Sequence, residues 1–205
     1  MSLAPAQNIN LQYALMLKLP TATVQRVKAV QDDFLTFFPG ENFTIKYPHM
    51  TLMSCITDPA FEERIVRQME KLTGEVPALQ VRLCGFELLT KAFCLKVENG
   101  EALFDSVFSN PAYFRKRLRM EARASAIEFV NHPHITIARR LTENQLKRAG
   151  EEWQSRRFFH EFEASAAVLL RYPKEGGSVV VSEFVFKGTE REVRSSGTGV
   201  QASLF

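Results

Sequence analysis

Two short stretches of the sequence repeat one pattern, Pro-His-apolar-Thr-apolar, inside otherwise apolar segments. They are YPHMTLMS at residues 47–54 and HPHITIAR at residues 132–139. In a strand, residues i and i+2 project from the same face of the sheet. The pattern therefore predicts two strands, each with a histidine and a threonine on one face and aliphatic residues packed on the other.

The rest of the chain alternates between strand and helix periodicity. The period-2 and apolar runs predict strands at 11–19, 43–56, 79–89, 92–99, 134–141, 162–172 and 178–188. The period-3.6 runs predict helices at 21–38, 58–74, 100–122 and 142–158. We expect Pro111 to break or kink the third helix, and Thr142 with Gln145 to begin the fourth as a capping box. Each half of the chain thus follows the order strand-helix-strand-helix-strand.

The two motifs lie at equivalent places in the two halves. His134 follows His49 by 85 residues, and at that offset the proline and the threonine of one motif also align with those of the other. This order predicts an internal duplication, about 11–90 and 91–172, within one bilobal domain at 11–188. Residues 1–10 are expected to be an N-terminal extension, and residues 189–205 a polar C-terminal tail.

Composition narrows the class of protein. The 26 basic and 23 acidic residues give a net charge of +3, which is compatible with an anionic ligand but is no signal of nucleic-acid binding. The three cysteines lie in apolar runs without a CxxC pair, which argues against disulfides or a zinc motif. No apolar run approaches the ~18 residues of a membrane span, and the first residues lack the pattern of a signal peptide. We therefore expect a cytoplasmic protein with reduced thiols.

If the two motif strands lie side by side, two imidazoles and two hydroxyls converge. Histidine has an ordinary pKa of ~6.5, so one imidazole can be neutral while the other is charged. The neutral ring can take a proton from an attacking water or hydroxyl, and the charged ring can protonate the leaving oxygen. The threonine hydroxyls can donate to the non-bridging oxygens of a phosphate. This set of groups suits cleavage of a phosphodiester without a metal.

Other functions of the histidines stay open at this point. A single His-x-Thr in a strand is ordinary packing, and only the paired occurrence indicates a site. His132 and His134 share a strand face and would suit a His-x-His metal pair, although Pro133 lies between them and no third ligand is evident. We expect His160 to be a surface or packing histidine.

The paired motifs resemble the signature of the two-histidine (2H) phosphoesterase superfamily. HPHITIAR is especially similar to the branch of 2′-5′ RNA ligases and cyclic phosphodiesterases, in which an arginine follows the second motif. The resemblance covers residues 11–188 in element order, and only the two motifs in residue identity. It implies an α+β, bilobal, pseudo-symmetric fold in which two antiparallel sheets line a central groove, with helices outside.

The resemblance also implies an activity. It indicates a metal-independent phosphodiesterase without a cofactor, acting on 2′,3′-cyclic phosphate RNA ends or on 2′-5′-linked or cyclic nucleotides, with reversible 2′-5′ RNA ligation as an additional reaction. His49 and His134 would be the acid/base pair, and Thr51 and Thr136 would bind the phosphate. The expected partners are RNA ends or small phosphodiester nucleotides, and a pseudo-symmetric chain of two lobes is expected to be a monomer.

Substrate contacts outside the motif pairs are less defined. Arg139 stands where this branch often has its arginine, and the alternative is a surface cation at the end of a strand. The branch often has an aromatic residue a few positions after the first motif, where this chain has Ser54. Tyr47 or Tyr172 would have to supply a ring that stacks on a base. This departure leaves a second hypothesis open, in which the protein is a non-catalytic module that binds nucleotides or RNA ends in the same groove.

Overall fold

Two antiparallel sheets form the frame of the molecule, and helices pack outside them. The computed structural model describes residues 10–39 and 47–188. Its strands are β1 (Leu11–Leu17), β2 (Met50–Thr57), β3 (Leu79–Leu89), β4 (Ala92–Val97), β5 (Ser125–Phe129), β6 (His134–Arg139), β7 (Phe159–Ala164), β8 (Ala166–Tyr172) and β9 (Val179–Val185). Its α-helices are α1 (Thr21–Phe37), α2 (Glu62–Gly74), α3 (Gly100–Val107), α4 (Pro111–Ala122) and α5 (Glu143–Trp153). The α+β class is confirmed.

The strands fall into a five-stranded and a four-stranded sheet. The first sheet has the order β5-β2-β1-β8-β9, and the second has the order β6-β4-β3-β7. The two sheets exchange strands between the halves of the chain, because β3 joins the second sheet while β5, β8 and β9 return to the first. Helix α2 packs against the first sheet, and helices α1, α3 and α5 pack against the second.

The helix ends follow from their capping residues. A 3-10 turn at Pro59–Phe61 precedes α2, and the Asp58 carboxylate accepts a hydrogen bond from the Ala60 N–H at its start. Asn110 caps α4, which begins at Pro111, so the predicted break makes two helices out of the segment 100–122. Thr142 and Gln145 form the predicted capping box of α5.

Three strand predictions need correction or fall outside the structure. The predicted strand 162–172 is two strands, because the chain leaves the second sheet after Ala164 and joins the first at Ala166. Strand β5 was not predicted; it is short, and only Ile127 of its five residues is buried. In the predicted strand 43–56, residues 43–46 lie outside the described residues, and β2 begins only at Met50.

An aromatic cluster ties α1 and α5 to the second sheet. The ring centroids of Phe34 and Phe93 are 5.0 Å apart, and those of Phe86 and Phe93 are 5.2 Å apart. Trp153, on α5, lies 5.4 Å from Phe34, on α1. These rings belong to one continuous buried core that also includes Leu15 and Leu17 of the first sheet. Within the part of the chain that the structure describes, no helix has the length and apolar character needed to cross a membrane.

Candidate active site

The two motif strands approach each other although they belong to different sheets. Cα atoms of β2 and β6 come within 8 Å of one another. His49, Thr51, His134 and Thr136 are all half-buried, and the aliphatic residues that alternate with them are buried. We call the surface that these four residues line the motif face. The predicted division into a polar and an apolar face is present in both strands.

Each motif strand carries a β-bulge directly after its threonine. Against β1, Met53 pairs with Leu15 and Thr51 pairs with Met16, so Leu52 is the extra residue. Against β4, Ala138 pairs with Phe93 and Thr136 pairs with Cys94, so Ile137 is the extra residue. The two bulges occupy the same position relative to the histidine, three residues after it. Bulges of this kind redirect side chains and are common next to active sites.

The bulges change which residues share the motif face. With regular alternation, the positions two, four and six residues after each histidine would lie on that face. Because one residue is inserted, the position five residues after the histidine lies on the motif face instead. On β2 this residue is Ser54, which is half-buried between two buried neighbours. On β6 it is Arg139, which is exposed after the buried Ala138. This gives a structural basis for placing Arg139 beside the site. Ser54 lies at the equivalent place on the first sheet.

Backbone and side-chain partners support both bulges. The carbonyl of Leu52 accepts a hydrogen bond from the Val130 N–H at 2.9 Å. The carbonyl of Ile137 accepts one from Nε2 of Gln31 at 3.4 Å. Gln31, on α1, is 4% exposed and is not among the residues predicted from the sequence. A buried amide on the core side of a helix is the sequence signal that points to such a contact.

Both motif histidines make the same hydrogen bond to the backbone. Nδ1 of His49 lies 2.9 Å from the carbonyl oxygen of Tyr47, and Nδ1 of His134 lies 3.0 Å from that of His132. A carbonyl oxygen can only accept, so each ring must carry its proton on Nδ1. In the neutral tautomer Nε2 is then the proton acceptor, and neither Nε2 has a partner among the described residues.

The two threonines have different neighbours. Sγ of Cys94 lies 3.9 Å from Oγ1 of Thr136 and donates to it. Burial raises the pKa of the Cys94 thiol to about 12, so the S–H donor persists at neutral pH. The Thr136 hydroxyl accepts from that thiol and keeps its own proton free to donate. Thr51 faces Met16 across the ladder between β1 and β2.

Glu87 lies in the same row of the second sheet as Cys94 and Thr136. It pairs with Cys94 across β3 and β4, and Cys94 pairs in turn with Thr136. One oxygen of Glu87 lies 2.8 Å from Nε2 of His132, and its other oxygen is buried without a hydrogen-bond partner. Glu87 is not among the residues predicted from the sequence. A lone charged residue in the apolar run GFELL is the signal that could have pointed to it.

The remaining predicted residues lie at the borders of the site. Tyr172, at the end of β8, is half-buried, and burial raises the pKa of its hydroxyl while the positive charge of Arg139 opposes that rise. Arg139 and Tyr172 are therefore close enough to interact, although they come from different sheets. Tyr47 is 64% exposed, and Nζ of Lys28 lies 5.8 Å from the centre of its ring. The structure thus brings Tyr172 close to Arg139 and leaves Tyr47 on the surface before β2.

The other histidines have partners of their own. Nε2 of His160 lies 2.9 Å from Oγ1 of Thr23, and its ring stacks on Phe162, away from both motif strands. His132 is engaged by Glu87. Across residues 10–39 and 47–188, no three His, Cys, Asp or Glu side chains are grouped so that they could hold a metal ion.

Comparison with known proteins places this geometry in context. The family model described as the 2′-5′ RNA ligase superfamily matches residues 18–176, a span that contains both motifs. No curated protein matches the chain.

Solved structures resemble the fold along nearly their full length. TT0787 of Thermus thermophilus is 18% identical with a TM-score of 0.63, and the match covers 86% of this chain and 98% of that one. LigT of Escherichia coli, in a complex with 3′-AMP, is 15% identical with a TM-score of 0.60, covering 87% and 99%. The PDE domain of MHV ns2 is 14% identical with a TM-score of 0.50, covering 80% and 100%. At these identities the likeness establishes the fold.

Proposed function

Because the chain belongs to the 2′-5′ RNA ligase superfamily of two-histidine phosphoesterases, we propose that it is a metal-independent phosphodiesterase. Its substrates would be 2′,3′-cyclic phosphate RNA ends or 2′-5′-linked or cyclic nucleotides, with reversible 2′-5′ ligation at the same site. The observation that carries this proposal is the matched pair of Nδ1 hydrogen bonds at His49 and His134. Those bonds leave an Nε2 atom of each ring for the substrate.

The proposed hydrolysis needs one neutral and one protonated imidazole. Nε2 of the neutral ring takes a proton from water while the water oxygen attacks the phosphorus. The bond from phosphorus to the 3′ oxygen breaks, and Nε2–H of the charged ring gives its proton to that oxygen. The product is a 2′-phosphate, and the two rings end with their protonation states exchanged. With a 5′-hydroxyl in place of water, the same proton transfers would form a 2′-5′ phosphodiester bond, and the reverse of that reaction would break it.

The threonines and the residues beside them would hold the phosphate. The free O–H of Thr136, with Cys94 donating to its oxygen, can donate to a non-bridging phosphate oxygen as negative charge develops there. Thr51 would do the same from β2. Arg139 would add a positive charge, and the nearby Tyr172 would supply a ring for a base or ribose.

The class of substrate follows from chemistry and from relatives with the same fold. Paired imidazoles act on the oxygens of a phosphodiester and need no redox or metal chemistry. LigT of Escherichia coli, which has the same fold, was solved with 3′-AMP, and this supports a small nucleotide as the ligand of the groove. We propose a cytoplasmic monomer of one domain at 11–188. The bulges at equivalent positions support the internal duplication of 11–90 and 91–172.

The first prediction is loss of activity in His49→Ala and in His134→Ala. The protein would be incubated in excess EDTA with 2′,3′-cyclic nucleotides and with 2′-5′ oligoadenylate, and the products measured by chromatography. Positioned acid/base groups contribute about 10²–10⁴-fold to rate, and we expect losses of this size in each variant. The rate of the unaltered protein should be bell-shaped in pH, since one ring must be neutral and the other charged.

His160→Ala is the matched control, because this histidine lies away from both motif strands. It should retain the activity of the unaltered protein. Turnover that survives either motif substitution would contradict the two-histidine mechanism, and activity lost in EDTA would indicate a metal instead. Binding of these nucleotides without product would favour the alternative function, a non-catalytic module in the same groove.

A further inference from the structure

A positively charged surface lies on the other side of the first sheet from the motif face. The segment 111–123 contains five basic residues and one acidic residue, so its net charge is +4. The net charge of the whole chain is +3. On α4, Lys116 and Arg119 are exposed three positions apart, with Met120 beside them at 70% exposure, and the exposed Arg123 follows the end of the helix. The positive charge of the protein is therefore concentrated along one helix.

Helices α2 and α4 enclose a cleft beside this helix face. Its volume is about 420 Å³, and its lining is Arg64, Arg67, Gln68, Lys71, Met120 and Glu121. We call it the basic cleft. It continues past Gln68 and Lys71 toward Tyr113, whose side chain is 55% exposed. Helix α2 contacts β8 and β9, so the basic cleft is separated from the motif face by the first sheet.

A network of hydrogen bonds holds the two walls of the basic cleft together. Arg117 donates through Nε to the Gln68 oxygen at 3.1 Å and forms an ion pair with Glu121 at 2.6 Å. The amide nitrogen of Gln68 donates to the other oxygen of Glu121. Gln68 is 3% exposed, so this network forms a rigid floor. The network also neutralises the acidic residue of the cleft.

The outer cations have no such partner. Arg67, Lys71, Lys116 and Arg119 are exposed and make no hydrogen bond or ion pair within the described residues. Glu63 and Glu70 stand beside Arg67 on α2, whereas Glu121 is the one acidic residue of α4. Lys116 and Arg119 on α4 therefore repel one another, and a bound polyanion would offset that repulsion. Exposed arginine and tyrosine side chains beside them are the groups that contact phosphates and unpaired bases.

We propose that the basic cleft and the exposed face of α4 bind the phosphate backbone of an RNA strand whose end lies at the motif face. The proposal rests on the proposed function. If the motif face binds only the last nucleotide of an RNA, the rest of the strand needs a second surface to contact the protein. The position of α4 suits this path. The helix ends at Ala122, directly before β5, and β5 pairs with the motif strand β2. The RNA strand would cross β5 to pass from one surface to the other.

The experiment compares two triple variants. The test variant is Arg67→Gln, Lys71→Gln and Lys116→Gln, and the control is Lys147→Gln, Arg157→Gln and Lys187→Gln, three exposed cations outside the basic cleft. The affinity for a fluorescently labelled single-stranded oligouridine is measured by anisotropy over a range of salt concentrations. Each lost phosphate contact lowers the slope of log K against log salt by roughly 0.7 for single strands. We expect a decrease of about 2 in the test variant and little change in the control.

Activity separates this surface from the catalytic site. With an oligonucleotide that ends in a 2′,3′-cyclic phosphate, KM should rise several-fold in the test variant only. With a 2′,3′-cyclic mononucleotide, kcat/KM should be the same in all three proteins. Equal salt slopes in test and control variants, or preferential binding of a polyglutamate probe over RNA, would overturn the proposal. If neither substrate is turned over, the proposed function fails, while the binding data still decide whether the surface holds RNA.

Discussion

At the scale of single residues, the two motif histidines make the same hydrogen bond to a backbone carbonyl. They differ in the residue that provides this carbonyl. The Tyr47 carbonyl that fixes His49 belongs to a surface residue. The His132 carbonyl that fixes His134 belongs to a residue whose side chain Glu87 holds at 2.8 Å. We therefore expect Glu87 to be a positioning residue that acts on the imidazole of His134 only through His132.

Glu87→Gln and His132→Asn test this positioning role. Each substitution weakens the contact between the two side chains and should lower kcat several-fold with KM nearly unchanged, because His134 loses orientation while the phosphate contacts remain. Residues that act through one contact are not additive, so the double variant should be no worse than the more impaired single variant. Steady-state kinetics on a 2′,3′-cyclic nucleotide would measure all three.

Glu161→Gln is the control for removing a carboxylate from a strand, since Glu161 is an exposed residue of β7, at the opposite edge of the second sheet from β6. This control variant should have the same kcat and KM as the unaltered protein. Additive losses in the Glu87 and His132 pair would show that the two residues act independently, contrary to the positioning role.

At the scale of elements, the bulges in β2 and β6 decide the composition of the site. Without them, strict alternation would turn Ser54 and Arg139 toward the apolar side. The bulge at Ile137 depends on a neighbour from a distant part of the chain, since Gln31 of α1 donates to its carbonyl. The outcome is asymmetric: the same position on the two strands holds a small hydroxyl in one and a guanidinium in the other.

The contact between β7 and α1 gives a prediction on pH. Burial, and secondarily the charge of Arg26, lowers the pKa of His160 from its ordinary value of 6.5. The unfolded chain therefore binds this proton more readily than the folded one, so the contribution of His160 to stability is present above about pH 6.5 and is lost as the pH falls below it. In His160→Gln the side chain does not titrate and can still bond to Thr23. The stability of the unaltered protein relative to this variant should fall between about pH 8 and about pH 5.

Urea midpoints at several pH values, with the slope m checked for constancy, measure that difference. The comparison with the variant cancels the other titrating groups. A difference that stays constant with pH would show that the pKa of His160 is the same in the folded and unfolded chain.

At the scale of the whole molecule, the exchange of strands makes the two sheets one cooperative unit. Strand β3 follows α2 into the second sheet, and β8 and β9 return to the first. The buried core is continuous from Leu15 and Leu17 through Phe34 to Phe93 and Trp153. Because the core is shared, we expect unfolding of either sheet to remove core contacts from the other.

Phe93→Ala in the second sheet and Leu15→Ala in the first test this coupling. Both side chains are fully buried, and truncations of this kind cost about 2–5 kcal/mol. Each variant should show one urea transition, with the same midpoint by Trp153 fluorescence and by far-UV circular dichroism. Because Trp153 packs against the second sheet, a Leu15→Ala variant whose two midpoints separate would show that the first sheet unfolds alone.

The sequence by itself determined the local features of this protein. The alternation in YPHMTLMS and HPHITIAR set the polar and apolar faces of β2 and β6, and the caps at Asn110 and Thr142 set the starts of α4 and α5. Each of these depends on residues within a few positions of one another. The paired motifs also indicated the family, because they recur in it as a pair.

Only the tertiary structure decided which residues join the motifs. A bulge exists only relative to a partner strand, so neither the extra residue at Ile137 nor the placement of Arg139 could be derived from the segment itself. The contact of Glu87 with His132 likewise joins residues 45 positions apart. The division of 162–172 into strands of two sheets follows from the exchange between the halves of the chain. These features depend on pairing between distant segments, and the sequence of one segment does not specify which other segment it pairs with.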